Sequence, residues 1–242
     1  PCGCGGACSN QRRRRGLTIS FLAGHTMRDQ HTQDGVIFLH GIFRTSRSME
    51  RFRRFMEAQG YATLNIDYPS TRLSLEEIVE RIAPEVAAFS AGLTGRVHFV
   101  GFSMGGLVIR TLLDQAAPAN LGRVVMIGTP NHGSEVADFI AHWPLYKKFY
   151  GPAGQQLTTH FAPSVAGCTP EYELGILAGN LVLDPVCNYL IGSANDGLVS
   201  VQSTQLPGMK DHRILRALHL FFPLNRSAWN HTLHFLQQGV FP

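Results

Sequence analysis

The sequence predicts an α/β protein, a three-layer sandwich in which helices cover both faces of a mainly parallel sheet. Three observations lead there. Short runs such as "GVIFLHG", "RVHFVGF" and "RVVMIGTP" are apolar throughout rather than alternating, as in strands covered on both faces. Each is followed by a glycine or turn, and strands that alternate with helical segments give a parallel sheet with right-handed crossovers. With 242 residues, 44% of them hydrophobic and 16% charged, the chain has enough apolar surface to bury one sizeable core.

The elements follow in order. Residues 35–41 read as the first strand, ending in His-Gly. In "SMERFRRFMEAQG" (48–60), Met49, Phe52, Phe55 and Met56 share one helical face and Gly60 is placed to stop the helix. "YATLNIDYP" (61–69) is the next strand. The helix over 74–92 opens on a capping box, Ser74 with Glu77 three residues on. Residues 96–102 are a strand, 105–116 a helix and 123–130 a strand. "CNYLIGS" (187–193) and "RILRAL" (213–218) are expected as the remaining strands. A helix from about Ser227 to Gln238 is stopped by Gly239. The stretch 138–180, rich in Pro, Gly, Tyr and Phe, reads as an insertion over one end of the sheet, where a lid or substrate pocket belongs.

Residues 1–26 differ from the body, taken as 27–242. They hold Cys2, Cys4 and Cys8 and the run Arg12–Arg15, and show neither alternation nor helical periodicity. A disordered appendage, a processed leader or expression-derived sequence is expected there, with Met27 as a sensible natural start. The three cysteines lack nearby partners to complete a zinc site, so no metal is expected. The arginines followed by "LTISFLAG" hint at export, while the short polar-interrupted core and Met27 point to the cytoplasm. Cys168 and Cys187 could pair or stay as thiols. The net charge of +4 equals the contribution of Arg12–Arg15, so the body is near neutral and no nucleic-acid partner is expected. No run is long enough for a transmembrane helix.

Chemistry concentrates at Gly101-Phe102-Ser103-Met104-Gly105. This G-x-S-x-G lies between a strand and a helix, where a tight, strained turn lifts the serine hydroxyl above the sheet and the flanking glycines relieve clashes. Ser103 is therefore the candidate nucleophile. A serine needs a base, and of 11 histidines His219 follows directly after the last strand, at the edge where reactive groups gather. His212 precedes that strand, His231 and His234 lie in the final helix with His231 as fallback, and His40 reads as support for its own loop. Asp196, on a loop before a glycine, is the candidate acid. Asp67 is its competitor, and Asp184 lies at the wrong end of its strand. Oxyanion donors are expected from the backbone N–H of Met104 and of Ile42, with Phe43 as the near alternative.

These motifs together, "VIFLHGIFRTSRSM", "NIDYPSTR", "VHFVGFSMGGLVIR", "VVMIGTPNHGSEVADF", "NDGLVS" and "LPGM", resemble bacterial lipases and esterases of the α/β-hydrolase superfamily from about residue 35 onward. The resemblance implies an α/β-hydrolase fold and a triad of Ser103, Asp196 and His219. It also implies oxyanion amides at Ile42 and Met104, and hydrolysis of carboxylic esters or lipids without a cofactor. Many larger bacterial lipases carry aspartates for a structural calcium near the histidine. "RALHLFFPLN" offers none, so no calcium is expected. Phe43, Phe221 and Trp143 are candidate pocket residues for an apolar acyl chain, and contact with a lipid interface fits the aromatic insertion. A thioesterase or acyltransferase, a haloperoxidase-like perhydrolase and a non-catalytic binding protein of the same fold stay open.

Overall fold

The computed structural model describes residues 33–161 and 169–242. Among these residues six strands make the sheet: β1 (Gly35–Leu39), β2 (Ala62–Ile66), β3 (Val97–Phe102), β4 (Leu121–Ile127), β5 (Leu174–Gly179) and β6 (Asp211–Leu215). Their spatial order is β2-β1-β3-β4-β5-β6, and every neighbouring pair is parallel. The chain runs outward from β1 to β2 and then returns to the other side of β1 as β3. That reversal opens a crevice beyond the carboxyl ends of β1 and β3, where open α/β sheets bind ligands. Register aligns those ends: Leu39 lies opposite Gly101, Phe102 opposite Ile127, Ile127 opposite Leu177 and Gly179 opposite Leu215.

The apolar strands feed two cores because successive side chains point to opposite faces. Ile37, Leu39, Phe99, Val124, Met126 and Ile176 face one layer. It is built by α2 (Leu75–Ala91) and α3 (Met104–Ala116). Val36, Phe38, Val100, Val125, Ile127 and Leu177 face the other. It comprises α1 (Glu50–Glu57) and the C-terminal helix, numbered α7 below (Arg226–Gln238). In that second layer Phe52, Trp229 and Phe235 are buried, each large side chain contributing about 1.5–3 kcal/mol.

Local signals explain the helix ends. Ser74 and Glu77 form the reciprocal capping box of α2. Gly60 at φ +93 ends α1, with Gly60 N–H donating to Glu57 O and Tyr61 N–H to Met56 O, a Schellman motif. Gly239 at φ +77 ends α7 in the same left-handed conformation.

Three expectations are corrected. Residues 187–193 are not a strand: Pro185–Ile191 is a helix, α6, with the Asp184 carboxylate accepting from the Val186 and Cys187 N–H and Gly192 left-handed at its end. Asp184 is thus a helix cap rather than a residue entering a strand. The missing strand is β5, "LGILAG", buried throughout inside the stretch expected to be insertion. The insertion instead carries α4 (Glu135–Ala141) and α5 (Pro144–Gln155). β6 also begins earlier than expected, and His219 opens a 3-10 turn (His219–Leu224) four residues beyond the strand. The appendage, Met27 and Cys168 lie outside the described residues.

Candidate active site

Ser103 sits between β3 and α3 with φ +54 and ψ −123, a conformation that side chains rarely adopt. Its neighbours explain how the turn is tolerated. A Cβ on Gly105 would lie 2.2 Å from the Leu39 carbonyl oxygen, and one on Gly101 would lie 2.6 Å from the Gly106 nitrogen. Only glycine lets α3 start this close to β1 and β3. Ser103 N–H donates to Ile127 O at 2.8 Å, tying the elbow to β4.

His219 reaches back across the carboxyl edge. Its Nε2 lies 3.0 Å from Ser103 Oγ and its Nδ1 lies 2.7 Å from Asp196 Oδ2. The other oxygen of Asp196, Oδ1, accepts from the N–H groups of Leu198 (3.1 Å) and Val199 (2.8 Å). His219 N–H donates to Asp196 O at 2.9 Å, so backbone as well as side chain joins the two loops. All three residues are buried, at 6%, 2% and 5% exposure. A carboxylate can only accept, so Nδ1 carries the proton and Nε2 presents its lone pair to the serine hydroxyl. Gly128, at φ +57, lies beneath the pair: a Cβ there would meet Asp196 Oδ2 at 3.2 Å and His219 Nδ1 at 3.3 Å.

The competing residues lie elsewhere. Asp67 accepts from Ser46 N–H at 2.7 Å, bracing the turn before α1. His212 bonds Thr204 Oγ1, His231 bonds Ser227 O in its own helix, and His234 bonds Val240 O. His40 is fully buried and stacked on Tyr68, their ring centroids 4.0 Å apart.

The sequence matches a known family. The model of the alpha/beta hydrolase family covers residues 36–236. The chain belongs to that family. Among solved structures, the mature lipase BlEst2 of Bacillus licheniformis superposes with a TM-score of 0.65 at 22% identity, over 80% of this chain and 91% of that one. The metagenomic carboxyl esterase MGS0156 gives 0.62 at 19% identity, over 80% and 66%. At such identities the likeness is one of fold. The lysosomal thioesterase PPT2 of Bos taurus is 27% identical over 136 residues, 51% of this chain. The aligned part spans 45% of that relative's length.

A cavity opens at Ser103. It measures about 280 Å³, and its lining includes Ser103, His219, Ile42, Phe43, Val136, Ile140, Tyr150, Leu157 and Leu220. Phe43 lines it, its ring edge-on to Tyr150 at 4.6 Å. Phe221 and Trp143 are not among its lining residues. They stand 59% and 57% exposed outside it, Phe221 within the 3-10 turn and Trp143, against Phe139, as the N-cap residue between α4 and α5. Among the described residues only Ser103 and Phe43 combine a side chain with positive φ, and both line this cavity. Backbone strain of this kind gathers at working sites.

The run "TPNHGS" after β4 forms a buttress that residue types alone do not assign. Asn131, fully buried, accepts from Arg110 of α3 at 3.0 Å and donates to Thr204 O at 2.7 Å. Ser134 Oγ donates to Leu198 O at 2.6 Å, fixing the peptide whose neighbours hold Asp196. The signal was a cluster of polar residues directly after a buried strand, where each must find a partner.

Proposed function

We propose that this chain is a serine carboxylic ester hydrolase, an esterase or lipase, with Ser103 as nucleophile, His219 as general base and acid, and Asp196 as the orienting acid. The observation that carries the reading is the unbroken line Ser103 Oγ–His219 Nε2 at 3.0 Å and His219 Nδ1–Asp196 Oδ2 at 2.7 Å, on a strained elbow at the mouth of an apolar cavity. Ser103 Oγ attacks the ester carbonyl carbon while its proton passes to His219 Nε2, and Asp196 stabilises the imidazolium. The oxyanion accepts from the N–H groups of Met104 and Ile42. Met104 opens α3, so its N–H has no carbonyl one turn earlier in the helix, and the helix dipole favours negative charge there. His219 then protonates the departing alkoxide. Water attacks the acyl-enzyme, gives its proton to His219, and the second oxyanion collapses with the proton returned to Ser103. No step calls for a cofactor.

The lining favours an apolar acyl group: most of it is aliphatic or aromatic, the Ser134 hydroxyl is committed to Leu198 O, and the Arg44 guanidinium, also in the lining, donates to Leu220 O. The volume is close to the small end of ligand pockets, about 300–1,000 Å³, which favours short or medium chains. Leu220, Phe221 and Leu224, exposed just beyond His219, suit contact with a lipid interface. The similarity to PPT2 supports a second reading, a thioesterase on the same triad. Matched oxygen and thiol esters from acetyl to palmitoyl, assayed with wild type and Ser103→Ala, test both. Turnover that peaks on short or medium oxygen esters and disappears in Ser103→Ala is expected. Strong preference for thiol esters moves the assignment to thioesterase, and an active Ser103→Ala refutes the mechanism.

A further inference from the structure

Among the described residues that line the cavity at Ser103, Arg44 is the only lysine, arginine or carboxylate. Its backbone N–H donates to Gly41 O at 3.2 Å, and the turn so closed, with Phe43 at φ +57, carries the side chain to the cavity mouth. From there the half-buried side chain crosses to the loop of the catalytic base, where Nη2 donates to Leu220 O at 3.3 Å. That bond occupies one of the five N–H donors of a guanidinium. Among the described residues no carboxylate forms an ion pair with Arg44. The carboxylates of the same region are spent elsewhere: Asp67 Oδ1 accepts from Ser46 N–H, and Glu50 pairs with Arg53 and Arg54.

The two ends of the cavity differ. Its enclosed wall, Val136, Ala137 and Leu157, is buried and aliphatic, which suits the acyl chain. The leaving alcohol must stand beside His219 Nε2, because that atom hands it the proton. Leu220 directly follows His219, so a guanidinium resting on Leu220 O lies on the leaving-group side of the mouth. Spare N–H donors in a planar fork match the two oxygens of a carboxylate or phosphate. A cation without a counter-charge at the rim of an apolar cavity also raises the local concentration of anions.

We infer that Arg44 is a specificity residue that binds an anionic group, a carboxylate or a phosphate, carried on the leaving alcohol of the substrate. The inference rests on the ester hydrolase reading and narrows its substrates to esters with an apolar acyl chain and an acidic leaving part. A staple between two loops would need only the contact to Leu220 O and would treat charged and neutral leaving groups alike.

The test measures kcat/KM of wild type, Arg44→Gln and Arg44→Lys on two matched pairs of butyrate esters. One pair is p-nitrophenyl butyrate and its ring-carboxylated analogue; the other is glycerol monobutyrate and its phosphate monoester. The anionic-to-neutral ratio within each pair cancels any general loss of activity. In Arg44→Gln the ratio is expected to fall about five- to tenfold, between the worth of an exposed ion pair and that of a charge-assisted hydrogen bond. Arg44→Lys keeps the charge and should retain most of the wild-type ratio. In wild type the ratio should also fall as salt is raised, and in Arg44→Gln it should not. A fall in one pair alone assigns the subsite to that anion. An unchanged ratio in both pairs overturns the inference. If Arg44→Gln does not fold, a wild-type ratio indifferent to salt overturns it instead. The matched nitrophenyl butyl ethers cannot be hydrolysed and need no turnover. By calorimetry the carboxylated ether should bind wild type about five- to tenfold more tightly than Arg44→Gln, and equal binding overturns the inference. A wild type that binds the ethers in this way but hydrolyses none of the esters would sink the hydrolase reading alone.

Discussion

Replacing Asp196 by asparagine separates the electrostatic role of this residue from its structural one. Oδ1 accepts from Leu198 and Val199 N–H at 3.1 and 2.8 Å, so the asparagine oxygen must stay on that side. A turned amide would set donor against two donors. The asparagine NH₂ then faces His219 Nδ1, where the carboxylate oxygen stood at 2.7 Å. Nδ1 must become the acceptor, the ring proton moves to Nε2, and the lone pair that should receive the Ser103 proton is gone. In a serine protease triad this swap costs about 10⁴ in turnover, a barrier increase of about 5 kcal/mol. Asp196→Asn should therefore lose about 10⁴ in kcat on p-nitrophenyl butyrate with Tm nearly unchanged. Asp196→Ala should lose comparable activity and also stability. It strands two N–H groups, each costing about 1–3 kcal/mol if unsatisfied, or about 2–6 kcal/mol together. At about 2–4 °C per kcal/mol, that lowers Tm by about 4 °C or more. Asp196→Asn retaining a tenth of wild-type kcat would refute the tautomer argument and move the acid elsewhere.

Three further outcomes are expected. Gly105→Ala forces a methyl to within 2.2 Å of Leu39 O, a backbone atom that cannot swing aside, so it should cost about 1–3 kcal/mol in denaturant unfolding and at least tenfold in turnover. His40, His98 and His212 all have pKa values lowered, chiefly by burial. The unfolded chain then binds more protons below pH 6.5, so stability present above that pH is lost as pH falls toward 5. A Tm that rises over that interval would contradict the sign. His231→Ala should leave kcat within about twofold, since its Nδ1 is spent on Ser227 O within α7. A collapse of activity would displace His219 from the assignment.

The parts of the site that were legible in the sequence are those fixed by local chemistry. The elbow needs glycines flanking Ser103, and an apolar strand and a helix on either side, and these occur in sequence order. The capping box of α2 and the glycine ends of α1 and α7 were legible for the same reason. What misled was short-range pattern without context. "CNYLIGS" has the residues of a strand, but Asp184 as cap, Pro185 in the first turn and Gly192 at the end mark a helix. "LGILAG" looks weak as a strand because two glycines and an alanine lower its propensity, yet close packing demands them. A Cβ on Gly175 would meet Phe235 at 2.8 Å, and one on Gly179 would meet Asp196 Cβ at 2.7 Å. Asp196 was singled out despite the wrong strand, since its loop still spans from the end of β5 toward β6 on the carboxyl side. Phe221 and Trp143 were misplaced because composition says which residues are aromatic, while the direction of a turn decides which way they point.

The measurement that bears most directly on the account is covalent capture of the nucleophile. The protein is incubated with a fluorophosphonate, the adduct mass is recorded, and the modified peptide is mapped while ester hydrolysis is followed. One adduct per chain on Ser103, forming in step with loss of hydrolysis and abolished in Asp196→Asn on the same timescale, is the predicted result. An adduct on another residue, or a folded and active protein that leaves Ser103 unmodified, would contradict the assignment of Ser103 as nucleophile.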